Sequence, residues 1–328
     1  MGSSAPGTPV TLPHDAMLAE ERSQTSAGGT NTGWFAGYDY LYEKHFTPDA
    51  AQAAQCAVLE FEGVYHNAEV HLNGEKIASC PYGYSDFYAD LTGKLLPGRD
   101  NVLEVIAHNA DQPNSRWYSG AGIYRPVILW TAPARHILPD GVQVRTLSID
   151  PAEVEVTVQT TASGAVAVAI LDGEQTVATA QAESNGKAVL RVQIPNAKLW
   201  SPDSPALYRC RAMFGDDCAE TTFGVRTLSW GDDGFLLNGK RVILLGACVH
   251  HDHGVLGACC YPEAEERKVR LLQKVGYNAV RCAHNPCSKA FLDACDRLGM
   301  LVMDEYADMW YIHKTQYDYA GYLPDRWR

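Results

Sequence analysis

His250, Asp252, Arg281, His284, Asp304 and Glu305 have the types and spacing that chemistry needs. Imidazoles exchange protons near neutral pH, and carboxylates act as acids, bases or nucleophiles. A guanidinium keeps a carboxylate ionised and aimed. Each of these residues ends or follows an apolar run. Residues 244–247 lead into 248–254, residues 278–281 into 282–286, and residues 300–303 into Asp304 and Glu305. A lone histidine is more often structural, but two at adjacent strand ends favour a functional reading. Asp304 and Glu305 could be read as a catalytic carboxylate pair. His250, His251, Asp252 and His253 with Cys259 and Cys260 also contain zinc-type ligands. Adjacent residues on a strand end point in alternating directions, however, and no spaced second pair completes a tetrahedron.

The elements that would position these groups read β-α-β-α-β. The apolar run through Leu245 reads as a first buried strand. Pro262 suits helix position N1, and Glu263, Glu265 and Glu266 suit the positive end of that helix's dipole. Val269, Leu272 and Val275 form its buried stripe, and Gly276 ends it. Ser288 reads as the N-cap of the next helix, which buries Phe291, Leu292, Cys295 and Leu298 and stops at Gly299. In a parallel α/β sheet, ligands sit beyond the carboxyl ends of the strands, so the polar residues above share one mouth. The tail from Tyr306 onward has no clear period.

Everything before residue 227 reads as β. In residues 1–133, Ala68, Val70 and Leu72 alternate with Glu69 and His71. Asn73-Gly74 follows, the pair that a type I′ hairpin favours. Short strands with turns between them predict a jelly-roll sandwich. Within it, residues 114–125 pack aromatics and arginines between glycines. Composition favours a loop capping the sandwich core over one that lends a group to a neighbouring pocket. Residues 134–226 read as an immunoglobulin-like sandwich of short strands, two of them near 154–158 and 165–171. Residues 227–328 leave roughly 100 positions, room for about three strand–helix units, whereas a (β/α)8 TIM barrel takes about 250 residues.

The totals exclude some function classes. A formal net charge of -12 argues against nucleic acid or an anionic membrane as the main partner. No apolar run of about 18 residues is present. The first residues, MGSSAPG, have neither the basic nor the apolar region of a signal peptide. The 10 cysteines contain no Cys-x-x-Cys pair, which suits a reducing cytoplasm. Self-association has no signal for or against it, so a homo-oligomer stays open.

Several stretches, in order, resemble glycoside hydrolase family 2, the β-galactosidase and β-glucuronidase family. They are VTLPHD at 10–15, RWYSGAGIYR at 116–125, FGVR at 223–226, GFLLNGK at 234–240, GACVHHDHG at 246–254, NAVRCAHNP at 278–286 and Asp304-Glu305. The first of these resembles the family's early strand. The resemblance implies a sugar-binding jelly roll, an immunoglobulin-like sandwich and the first part of a TIM barrel. It implies retaining hydrolysis of a terminal β-linked sugar, a galactoside first and a glucuronide second. In such chemistry one carboxylic acid protonates the leaving oxygen and a second carboxylate attacks the anomeric carbon from about 5–5.5 Å away. The family's two glutamates lie on later barrel strands, so they are expected beyond Arg328. By resemblance, Arg281 lies beside the nucleophile, and His250 and His284 bond sugar hydroxyls. Asp252 either orients His250 or touches sugar, and Asn285, Asp304 and Glu305 line the pocket. No cofactor is expected: the family's magnesium-ligand pattern is absent, and Asp308-Met309-Trp310 stands in its place. The alternative is a non-catalytic carbohydrate-binding protein.

Overall fold

The computed structural model describes residues 7–309 and 311–322. Trp310, the first six residues and residues 323–328 lie outside them.

The first unit is a sandwich of two antiparallel sheets. One has the order Asp39–Phe46, Asn101–His108, Ala68–Leu72, Glu75–Cys80; the other has the order Phe87–Asp90, Cys56–Phe61, Val127–Ala132. Alternation places Ala68, Val70 and Leu72 inside with Phe61, Val105 and Ala107. Asn73 and Gly74 adopt φ of 53° and 82°, as the predicted type I′ turn requires. Residues 10–15 form no strand. They run irregularly beside residues 121–123, where His14 N and Ala16 N donate to Ile123 O and Ala121 O.

The second unit differs from the expected set of short strands. Ala152–Asp172 is one continuous strand that serves two neighbours. Its first half pairs with Ile137–Ile149 and its second half with Tyr208–Phe214, while Gln175–Gln193 follows it throughout. Gly164, at φ 154°, sits between the halves, and Gln175–Gln193 shows a register shift nearby between Asn185 and Lys187. Val154, Val156 and Val158 from one half join Val166, Val168 and Ile170 from the other in a single core. The two strands predicted near 154–158 and 165–171 are thus the halves of one bent strand.

The third unit is a parallel sheet of Gly246–Val249, Ala279–Cys282 and Leu301–Asp304. The first strand starts later than its apolar run suggests: Leu244 and Leu245 are exposed. Helices Pro262–Lys274 and Lys289–Leu298 cover one face, burying Val269, Phe291, Ala294 and Cys295 against Val280 and Cys282. Pro262 and Ser288 take the predicted N1 and N-cap positions. Gly299 adopts the left-handed conformation that ends the second helix, and a Cβ there would meet Pro202 O at 2.3 Å. On the opposite face a groove of about 830 Å³ is lined by Trp230, Leu244, Cys248, Arg281, Leu301 and Met303, among others. Trp230 and Met303 are largely exposed there.

Polar contacts lock the units together. Trp200, buried in the junction, donates through Nε1 to Asp296 O at 2.8 Å. Lys289, in the first turn of the second helix, pairs with buried Glu60 of the jelly roll and, at 2.7 Å, with Asp140 at the start of the middle sandwich. Burial alone would depress its ammonium, but Asp140 and Glu60 outweigh that and hold it above its usual value. Lys289→Ala would strand the Glu60 carboxylate. We expect a loss of about 3 kcal/mol in urea unfolding, the low end for breaking a buried pair because Lys289 itself is part-exposed. A loss below about 0.5 kcal/mol would show that the junction does not depend on this contact.

Candidate active site

Strand alternation sorts the polar residues at the mouth. Val249, Cys282 and Asp304 share one row of the parallel sheet, and Cys248, Arg281 and Met303 share the next. Consecutive residues face opposite sides, so Asp304 and Glu305 part company. Glu305 takes the Arg281 side. Its Oε1 lies 3.1 Å from Arg281 Nε and its Oε2 2.9 Å from His284 Nδ1. Asp304 does not join them; its Oδ1 accepts a bond from Cys287 N at 3.1 Å. Asn285 is buried, and its Nδ2 donates to Pro286 O.

His250 sits beside His284, with ring centroids 5.9 Å apart. Its Nδ1 lies 2.6 Å from Ala283 O. A carbonyl only accepts, so Nδ1 carries the proton and Nε2 is free to accept. That backbone contact, rather than Asp252, fixes the tautomer. Asp252 is half-buried and makes no side-chain hydrogen bond or ion pair among the described residues. The zinc reading does not hold either. His251 turns to Ser119 O, and His253 lies 3.3 Å from the Glu265 carboxylate without hydrogen-bond alignment. Glu265 is itself buried, bonded by Ser288 Oγ and paired with Lys268, a tertiary role beyond its suitability for the helix dipole.

The wall of the site comes from the jelly roll. Trp117 stacks on His250 at 5.4 Å with an 11° interplanar angle and lies 5.3 Å from His284. The aromatics of residues 114–125 therefore do not cap the sandwich core, to which this loop gives only Ile123. Trp117, Tyr84 and Tyr124 form a separate cluster with Ala258, Ala307 and Tyr319 from the third unit. Buried Asp15 anchors this loop by accepting from four donors: Met17 N, Ala121 N, Ala258 N and the Tyr118 hydroxyl, at 2.7–3.1 Å. Buried Arg125 donates to Glu62 O and Tyr84 O on its own side and to Pro286 O across the junction. Arg116 holds Asp308 through both carboxylate oxygens, at 3.0 and 2.6 Å, and Lys314 reaches the same carboxylate at 2.7 Å. Burial raises the Asp308 carboxyl, and these two cations more than offset it, leaving it below its usual range. This carboxylate stands where the resemblance would look for a magnesium ligand. With two cations already on it, it does not fit a magnesium ion. Sequence reasoning quoted Asp15, Arg116, Trp117 and Arg125 within motifs but gave them no role at the mouth.

Family models match three consecutive stretches: the galactose-binding-like domain of glycosyl hydrolase family 2 at 9–128, the glycosyl hydrolases family 2 domain at 140–226 and that family's TIM barrel domain at 229–316. The chain belongs to glycoside hydrolase family 2. It is 39% identical to the β-galactosidase BoGH2A of Bacteroides ovatus over 96% of its own length and 39% of that protein's. It is 32% identical to a putative β-glucuronidase of Formosa agariphila over 97% of its length and 32% of the relative's. The crystal structure of a family 2 member from Bacteroides cellulosilyticus superposes with a TM-score of 0.90 at 36% identity, covering 97% of this chain and 44% of that one. The chain thus spans less than half the length of each of these three proteins. Among its described residues, no helix is long and apolar enough to cross a membrane.

One buried histidine behind the family 2 site gives a pH signature. Burial, with help from the Arg125 charge, pushes His251 down to about 3. The unfolded chain takes up a proton near pH 6.5 that the folded chain refuses, so stability falls as pH drops from about 6.5 toward 3. The slope is about 1.4 kcal/mol per pH unit. Urea unfolding of His251→Leu should lose that slope relative to the parent between about pH 6 and 4. Parallel curves would show that His251 is protonated in the folded protein.

Proposed function

We propose that this chain belongs to a retaining exo-β-glycosidase acting on terminal β-linked sugars, galactosides by preference. The observation that carries the reading is the composite mouth. Arg281, His284 and Glu305 form one polar network, His250 offers a free Nε2, and the Trp117 indole walls both histidines. Glu305 takes Nδ1 of His284, which leaves Nε2 to face a ligand. Sugars are bound by this combination of fixed polar groups and an aromatic surface. Arg281, part-exposed at the mouth, suits a guanidinium that aims a catalytic carboxylate.

The acid/base and the nucleophile are proposed to come from outside these 328 residues. Glu305 is bound by Arg281 and His284, and Asp304 is turned to the Cys287 backbone, so neither is set up as half of a pair. The relatives' names support both a β-galactosidase and a β-glucuronidase. A glucuronide adds a carboxylate that needs an unpaired cation. Among the described residues near the mouth, Arg281 is paired with Glu305 and Lys268 with Glu265, and Arg116 and Lys314 share Asp308, so each of these cations already holds a carboxylate. That favours a neutral galactoside. We further propose that the chemistry needs no metal at Asp308.

Hydrolysis of chromogenic β-galactoside, β-glucuronide, β-mannoside and β-glucoside tests this, with the 328-residue chain assayed beside the product of its uninterrupted reading frame. We expect turnover by the longer form only, fastest on the β-galactoside and with retained anomeric configuration. Turnover by the 328-residue chain alone would overturn the division of roles. A longer form fastest on the glucuronide would overturn the sugar.

A further inference from the structure

Among the described residues, two groups of side chains have metal-ligating atoms within 4.8 Å of one another: Glu60, Asp86 and Asp140, and Cys282, Cys287 and Asp304. The first already contains a cation, because the Lys289 ammonium lies against all three carboxylates. The second has none. Asp304 makes no ion pair among the described residues; its carboxylate accepts from Cys287 N, has the Cys287 thiol against it, and keeps acceptor capacity to spare.

We propose that Cys282, Cys287 and Asp304 form a site for a soft divalent cation of the zinc class. Two thiolates and one carboxylate are a ligand set that Zn²⁺, Co²⁺ or Cd²⁺ takes and that Mg²⁺ or Ca²⁺ does not. The scaffold is rigid on two sides: Cys282 and Asp304 are register partners on adjacent parallel strands. The third ligand is held by the Cys287 N bond to Asp304. Burial is graded across the site. Cys282 is inside, Cys287 half-buried and Asp304 exposed, so an ion enters past Asp304 and keeps its fourth position toward solvent. The Cys282 contact and burial hold the Cys287 thiol above its usual value. Binding displaces both thiol protons, so M²⁺ plus two thiols and a carboxylate gives the three-ligand complex plus two H⁺, and affinity rises with pH. This assignment is separate from the glycosidase reading. The two cysteines bracket Ala283, His284, Asn285 and Pro286, so an ion here ties down the loop that presents His284 to the mouth.

Titration of the reduced protein with Co²⁺, followed by near-ultraviolet thiolate-to-cobalt charge-transfer absorption, tests the site. We expect saturation at one equivalent, bleaching by Zn²⁺ and no response to Mg²⁺. Cys287→Ser should abolish the band while far-ultraviolet circular dichroism stays unchanged. Asp304→Asn, at an exposed position that folding tolerates, should weaken Co²⁺ binding by more than about 10-fold, the loss that removing even a ligand's partner brings. A parent protein with no band would overturn the proposal. So would an Asp304→Asn protein that titrates as the parent does, or a band that survives Cys287→Ser and so belongs to other thiols.

Discussion

A histidine at the end of a parallel strand has no wall of its own, and this chain supplies one from another domain. The stacking of Trp117 on His250 is the contact on which the rest of the mouth depends. It exists because a buried carboxylate, Asp15, collects four donors from the N-terminal segment, the 114–125 loop and the segment after the first parallel strand. A carboxylate with four short bonds tolerates burial that a lone one would not. Arg125 and Arg116 repeat the device from the other side, one through a backbone carbonyl of the third unit and one through Asp308. The jelly roll is therefore part of the site, and the sandwich fixes its angle through Trp200 and Asp140.

Much of this was legible residue by residue. Asn73-Gly74, Pro262, Ser288 and Gly299 each announce a turn, a helix start or a helix stop by local chemistry, and the structure uses them so. The family, too, was legible, because its motifs fall in order along nearly the whole chain. The bent strand Ala152–Asp172 was not: alternation reads the same on both sides of Gly164, and nothing local says that one strand continues through the bend. The role of residues 114–125 was hidden for a different reason. Aromatics flanked by glycines look alike whether they cap their own core or a neighbour's. Only the distant partners, Ala121 and Ala258 for Asp15 and Pro286 for Arg125, each more than 100 residues away, distinguish the two.

The parting of Asp304 and Glu305 lies between these cases. The pleat requires neighbours to face opposite sides, so a sequence can say that they divide, but which one faces the mouth depends on register. Here Arg281 and Glu305 share a side, while Cys282 and Asp304 share the row beneath the helices. One strand end thus serves two sets of ligands, polar groups at the mouth and thiols behind it.

The proposed function has Trp117 of the jelly roll and His250 of the third unit act together on substrate. A double-mutant cycle of Trp117→Ala and His250→Ala, read in kcat/KM of the complete enzyme on the glycoside it hydrolyses fastest, tests it most directly. We expect a coupling of about 1 kcal/mol or more, as contacting residues show. Losses that add to within about 0.3 kcal/mol would contradict it, because they would mean that the tryptophan and the histidine work independently.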